Sequence, residues 1–132
     1  MQAQARRFCQ LAALLLALAT LIGALGAHAL KERLSSDRYE VLQTALHYQL
    51  FHALGLLALG VLLDRLPRRR LQAAGWLLFA GILLFSGSLY LILAGAPRVF
   101  GVLTPVGGLA LIIGWCMAAM ALGGDTAAGD NA

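Results

Sequence analysis

The stretch LQTALHYQLFHALGLLALGVLL (Leu42–Leu63) decides the fold. It runs 22 residues without an Asp, Glu, Lys or Arg. At 1.5 Å rise per residue, a helix of about 20 apolar residues crosses a hydrocarbon core of about 30 Å. Lipid offers no water to backbone N–H and C=O groups, so a crossing segment must be helical. The stretch is also uneven. Gln43, Thr44, His47, Tyr48, Gln49 and His52 all fall in its first half, and the second half is almost pure Leu, Ala, Gly and Val.

Three more runs of this kind lie outward from it, over about Phe8–Leu30, Leu71–Ala94 and Val102–Leu122, none with a charged residue. Short connections join them: Lys31–Val41, then DRLPRRR at Asp64–Arg70, then Gly95–Gly101 around Ala96-Pro97-Arg98. Loops this short make neighbouring helices antiparallel. The expected fold is therefore an all-α membrane protein, a compact antiparallel bundle of four transmembrane helices, left-handed as most such bundles are. One domain spans residues 1–122, and the Gly/Ala/Asp-rich tail over 123–132 is expected to be disordered.

Composition agrees. The 132 residues are 61% hydrophobic and 12% charged, too few charges to cover a water-facing surface. The net charge of +4 sits in the short connections, where basic residues set topology and meet anionic headgroups. No basic face is interleaved with aromatics, so nucleic acid is not an expected partner. Cys9 and Cys116 form no CxxC pattern and read as packing residues; Cys9, beside Arg6 and Arg7, carries a faint palmitoylation signal.

Arg6-Arg7, an apolar run and Ala27-His28-Ala29 together imitate a signal peptide with an A-x-A cleavage site. The run is longer than the usual core of such a peptide, so the segment is expected to stay as the first span. Lys/Arg counting sets orientation. Six basic residues (Arg6, Arg7, Arg65, Arg68, Arg69 and Arg70) lie on the side of both termini, against four (Lys31, Arg33, Arg38 and Arg98) on the other. Both termini are expected in the cytoplasm, and a bacterial inner membrane is the default location.

With depth assigned at 1.5 Å per residue, the polar side chains gather in one half of the membrane. His28 lies near the outer end of the first helix. His52 lies ten residues past Leu42, about 15 Å deep. Ser86, Ser88 and Tyr90 occupy the outer half of the third helix, and Thr104, Pro105, Gly107 and Gly108 open the fourth. Polar groups in lipid are costly unless partnered, so these residues should face one another. On the second helix Ala45, Tyr48, His52 and Gly55 share one face, with Gln49 beside it; His47 points elsewhere.

The plain structural reading is glue between helices, through hydrogen bonds worth about 0.6 kcal/mol each. The functional reading is a small outward-opening site around His28, Tyr48, Gln49 and His52, flanked by Ser86, Ser88, Tyr90 and Thr104. Small residues at four-residue spacing (Ala19, Gly23, Ala27; Ala110, Gly114, Ala118) suit close helix packing within or between chains. Thr104-Pro105 reads as an N-cap followed by proline at the first helical position. No carboxylate pair, nucleophile–base set, phosphate loop or metal-ligand cluster appears, so neither enzyme chemistry nor a cofactor is expected.

The segments GALGAHAL (Gly23–Leu30), TALHYQLFHALGLL (Thr44–Leu57), GILLFSGSLYLILAG (Gly81–Gly95), LTPVGG (Leu103–Gly108) and Gly114-Trp115 resemble the YgdD-like family. These are small bacterial inner-membrane proteins with eukaryotic relatives and no assigned function. The resemblance implies four helices and a retained first span. It maps family motif positions onto His28, Tyr48, Gln49, His52, Ser86, Gly87, Ser88, Tyr90, Thr104, Pro105, Gly107 and Gly108, and implies no activity. The leading expectation is a non-enzymatic inner-membrane protein whose polar half binds a small ligand or a partner helix. Its partners are the lipid bilayer and a second copy or another membrane protein. A small oligomeric transporter or channel is the alternative, weakened by the lack of an intramembrane carboxylate. A haem protein ranks third, because His28 and His52 differ in depth by several turns.

Overall fold

Counted with the π-helical and 3₁₀ turns that adjoin two of them, the four helical segments are each longer than the apolar run they correspond to. The computed structural model describes residues 1–124, and among them α1 spans Ala3–Leu25, α2 Ser36–Arg65, α3 Arg69–Leu93 and α4 Leu103–Gly123. The 30 residues of α2 give about 45 Å of helix, enough for the hydrocarbon core and both headgroup layers. Polar residues at a headgroup layer cost nothing to wind into the helix, so helices continue past the apolar boundary. All four are long and apolar enough to cross a membrane. The fold is all-α, a four-helix membrane bundle. Of the expected disordered tail, Gly123 ends α4 and Gly124 lies in a turn; residues 125–132 lie outside the described residues.

The helix ends follow local chemistry. α1 passes into a π-helical turn at Gly26–Leu30, closed by the Lys31 N–H donating to the Gly26 carbonyl at 2.9 Å. Ser35 caps α2, its hydroxyl accepting from the Arg38 N–H at 3.4 Å, and Asp37 complements the helix dipole one step on. Two residues past the end of α3, Gly95 takes φ +101°, a left-handed conformation open to a residue without Cβ. There the Ala96 N–H reaches the Leu91 carbonyl and the Gly95 N–H reaches Ile92, and Pro97 then bars the helix from continuing. A 3₁₀ turn at Arg98–Val102 runs straight into α4. This corrects the expected cap at Thr104: α4 starts at Leu103, with Pro105 inside its first turn. The preceding turn supplies the helix entry, and the Thr104 hydroxyl is left for another use.

Close backbone approaches join α1 to α2, α2 to α3 and α3 to α4, so sequence neighbours are spatial neighbours. Buried Phe8, Leu56, Leu71 and Leu78 form the centre of the core. Gly107 lies where α4 meets the backbone of α3. A Cβ there would lie 2.9 Å from Leu84 Cβ and would overlap the α3 backbone at Phe85. Arginines tie the bundle ends. The Arg38 guanidinium donates to the Leu93 carbonyl at 2.6 Å at one end, and Arg68 donates to the Ala121 carbonyl at the other. Both meet carbonyls at helix C-termini, where the dipole favours a cation.

Candidate functional site

Gln49 is buried on α2, where its polar atoms have no water. Its Nε2 donates to the Leu15 carbonyl of α1 at 2.8 Å, and its Oε1 accepts the Tyr90 hydroxyl of α3 at 2.7 Å. The meeting follows from side-chain direction. Long side chains lean toward the N-terminus of their own helix. On antiparallel α2 and α3, Gln49 and Tyr90 therefore lean toward each other. One turn toward the N-terminus of α2, Ser86 donates to the Ala45 carbonyl at 2.7 Å, again bridging α3 to α2. Ser88 donates to the Phe85 carbonyl at 2.9 Å and lies 2.5 Å from the Thr104 hydroxyl on α4. The single Ser88 proton goes to Phe85, so in this pair the Thr104 hydroxyl donates to Ser88 Oγ.

Tyr48 and His52 belong to a second group on the neighbouring face of α2. Their rings stack at 5.6 Å, and Tyr48 stacks in turn on Phe85 of α3 at 4.1 Å. Trp115 of α4 closes the row, 6.2 Å from His52. Gly55 makes room for it: a Cβ there would lie 2.5 Å from the indole. The His52 Nδ1 lies 2.7 Å from the Tyr48 carbonyl. A carbonyl only accepts, so Nδ1 carries a proton, and in the neutral ring Nε2 then presents a lone pair. Among the described residues Nε2 has no hydrogen-bond partner. It is not sealed in, because no buried side-chain nitrogen or oxygen lacks a partner. Tyr48 is 41% exposed and its hydroxyl is likewise unpartnered among them.

The structure thus sorts the eight candidate residues into separate places. Gln49, Tyr90 and Ser86 join α1, α2 and α3, and Ser88 with Thr104 joins α3 to α4. Tyr48 and His52 face outward beside Trp115. His28 stands exposed in the π-helical turn and, among the described residues, shares no hydrogen bond or ring contact with the others. Among the described residues no three His, Cys, Asp or Glu side chains come close enough to hold a metal. Phe85 and Trp115 complete the aromatic row. The signal that could have found Trp115 is the pairing of a bulky indole on one span with a glycine at similar depth on another.

A narrow cleft of about 90 Å³ lies against Gln49, Ser86 and Tyr90, and a wider one of about 310 Å³ opens above it between Ile22, Leu42, Tyr90 and Leu93. Both walls are almost wholly apolar. The polar atoms next to them are already spent on interhelix bonds.

Comparison with known proteins gives the family. Residues 22–108 match the model described as "Protein of unknown function (DUF423)". The UPF0382 membrane protein YwdK of Bacillus subtilis is 43% identical over 105 residues, 79% of this chain and 85% of that one. A UPF0382 membrane protein of Staphylococcus saprophyticus is 44% identical over 95 residues, 72% of this chain and 78% of its own. One of Staphylococcus epidermidis is 43% identical over 99 residues, 75% and 80% of the two chains. No solved structure gives a significant match. The chain belongs to the DUF423 family, whose members are membrane proteins of unknown function.

Proposed function

We propose that this chain is a non-enzymatic inner-membrane protein that acts by lateral association, seating a partner transmembrane helix on the Tyr48–His52–Trp115 face. One observation carries this reading: midway along α2, His52 spends Nδ1 on its own helix and leaves Nε2 open. An open acceptor at that depth is costly in lipid until a donor arrives. A helix bearing a Ser, Thr or Asn would donate to Nε2 and accept from the Tyr48 hydroxyl. A small amphiphile with one donor and one acceptor would satisfy the same two atoms. Gln49, Tyr90, Ser86, Ser88 and Thr104 serve as glue on this reading, because their polar atoms are used within the bundle. The likeness of FSGSLY and TPVGG to the YgdD-like proteins belongs to the same proposal and adds no activity.

Orientation completes it. The Gln2 N–H donates to Asp64 at 2.7 Å, which draws the N-terminus and the Arg65–Arg70 region to one end. That end is proposed to be cytoplasmic.

The test is site-specific photo-crosslinking in membranes. A benzophenone side chain at Ile112, one turn from Trp115 and 62% exposed, should yield a discrete adduct that vanishes in His52→Leu. The same group at Leu21 on α1, 57% exposed, should yield none. An adduct of twice the chain mass identifies a second copy, the oligomer that the transporter or channel alternative requires. No discrete adduct at Ile112, or one indifferent to His52→Leu, overturns the proposal.

A further inference from the structure

At the basic end of the bundle an open groove of about 650 Å³ runs between α1 and α3. This falls within the range of about 300–1,000 Å³ usual for small-molecule sites. Its walls are Arg7, Gln10, Leu11, Ala13, Leu14 and Trp76. Both helices leave the same end of the bundle, so the groove climbs from the headgroup layer toward the hydrocarbon. From Arg7 to Leu14 that is about 10 Å.

The lining is graded along this climb. Exposed Arg7 stands at the mouth, and the hydrogen bonds found at this end among the described residues do not involve it. Gln10 lies three residues on, on the same helix face, and offers an amide. Leu11, Ala13 and Leu14 follow as an apolar floor. Trp76, 41% exposed and edge-on to Phe8 at 5.2 Å, forms the opposite wall. A phospholipid presents the same sequence of chemistry along its length: phosphate, ester carbonyl, acyl chain. Charge selects among phospholipids. Six arginines gather at this end, and among the described residues its carboxylate, Asp64, is engaged by the Gln2 N–H.

We infer that the α1–α3 groove is a binding site for one phospholipid with an anionic headgroup. Arg7 takes the phosphate, the Gln10 amide meets the ester region, and one acyl chain lies along Leu11, Leu14 and Trp76. Arg7 is suited to the task because a guanidinium forks onto two phosphate oxygens. The site is independent of the His52 face, which lies on α2 and α4.

Native mass spectrometry of the full chain in detergent tests it, with equal amounts of dioleoyl phosphatidylglycerol and dioleoyl phosphatidylcholine. The expected result is a one-to-one phosphatidylglycerol adduct favoured about fivefold over phosphatidylcholine. Arg7→Gln should bring the two lipids level. Ala13→Trp, at a lipid-facing position, should fill the groove and remove the adduct with helix content unchanged. Arg70→Gln, outside the groove, should keep the preference. Equal retention of the two lipids by the native chain overturns the inference. So does a preference that survives Arg7→Gln or a folded Ala13→Trp, or one lost equally with Arg70→Gln, which would mark a diffuse basic belt. Should Ala13→Trp lower the helix content, the two arginine variants decide.

Discussion

The Tyr90 hydroxyl donates to Gln49 Oε1 at 2.7 Å, and through Gln49 Nε2 it is tied to the Leu15 carbonyl. One amide thus fastens three helices at a single level. Replacing Gln49 by Leu keeps volume and removes both bonds. Interhelix hydrogen bonds in membranes average about 0.6 kcal/mol with a maximum near 1.7, so Gln49→Leu should lose about 1–2 kcal/mol and Tyr90→Phe about 0.6. The double variant should lose less than the sum, because both changes remove the same bond. Unfolding in mixed micelles, followed by circular dichroism, measures all three. Strict additivity would show that the bond contributes nothing.

Gly107 and Gly108 are neighbours with unlike surroundings. A Cβ at Gly107 overlaps the α3 backbone, whereas at Gly108 it would sit 3.6 Å from the Phe85 ring, an ordinary contact. Backbone cannot yield as a side-chain tip can. Gly107→Ala should therefore destabilise by about 1–3 kcal/mol, the range for overpacking. Gly108→Ala should leave the unfolding midpoint close to the native value. Equal effects would mean that helix propensity, not the α3–α4 contact, governs this turn.

Much of the architecture is legible in the residues because the bilayer forces it. Runs without charge must cross, must be helical, and with short loops must alternate in direction. The face shared by Ala45, Tyr48, His52 and Gly55 was also readable from 3.6-residue periodicity. Its members meet α3 and α4 in the structure: Ala45 through Ser86, Tyr48 through Phe85, and His52 and Gly55 beside Trp115. What depth counting could not supply was azimuth between helices. Gln49 and Tyr48 are adjacent in sequence and level in the membrane, yet 100° of helix turn sends one to α1 and Tyr90 and the other to Phe85. Depth alone likewise places His28 with the rest, whereas the π-helical turn carries it out at the bundle end. Thr104 read locally as a cap, since the 3₁₀ turn before it leaves no mark in composition.

Orientation is open to a direct measurement. Arg65, Arg68, Arg69 and Arg70 sit at one turn, held near the N-terminus by the Gln2–Asp64 bond and near α4 by the Arg68–Ala121 contact. Cationic turns resist translocation. A fluorescent protein fused after Ala132 should be bright, and alkaline phosphatase fused at the same point inactive. Changing Arg69 and Arg70 to Gln leaves four basic residues on each side, six less two against four, and should produce a mixed population with both reporters partly active. Active phosphatase with the native sequence would reverse the orientation without touching the bundle.

His52 separates a docking face from glue by the sign of its effect. Its Nδ1 proton goes to its own helix, and a helical carbonyl there already accepts a backbone N–H, so the bond to the Tyr48 carbonyl joins no two helices. His52→Leu should change stability by no more than about 0.5 kcal/mol, as expected where no interhelix bond is lost. Gln49→Leu at nearly the same depth should cost severalfold more. Partner capture should move the other way: lost in His52→Leu, retained in Gln49→Leu once the protein is folded. Tyr48→Phe keeps the ring stacked on Phe85 and removes only the hydroxyl, so it should weaken capture with the melting midpoint held. If His52→Leu instead lowers stability as much as Gln49→Leu and leaves capture intact, the face on α2 is packing and the partner binds elsewhere.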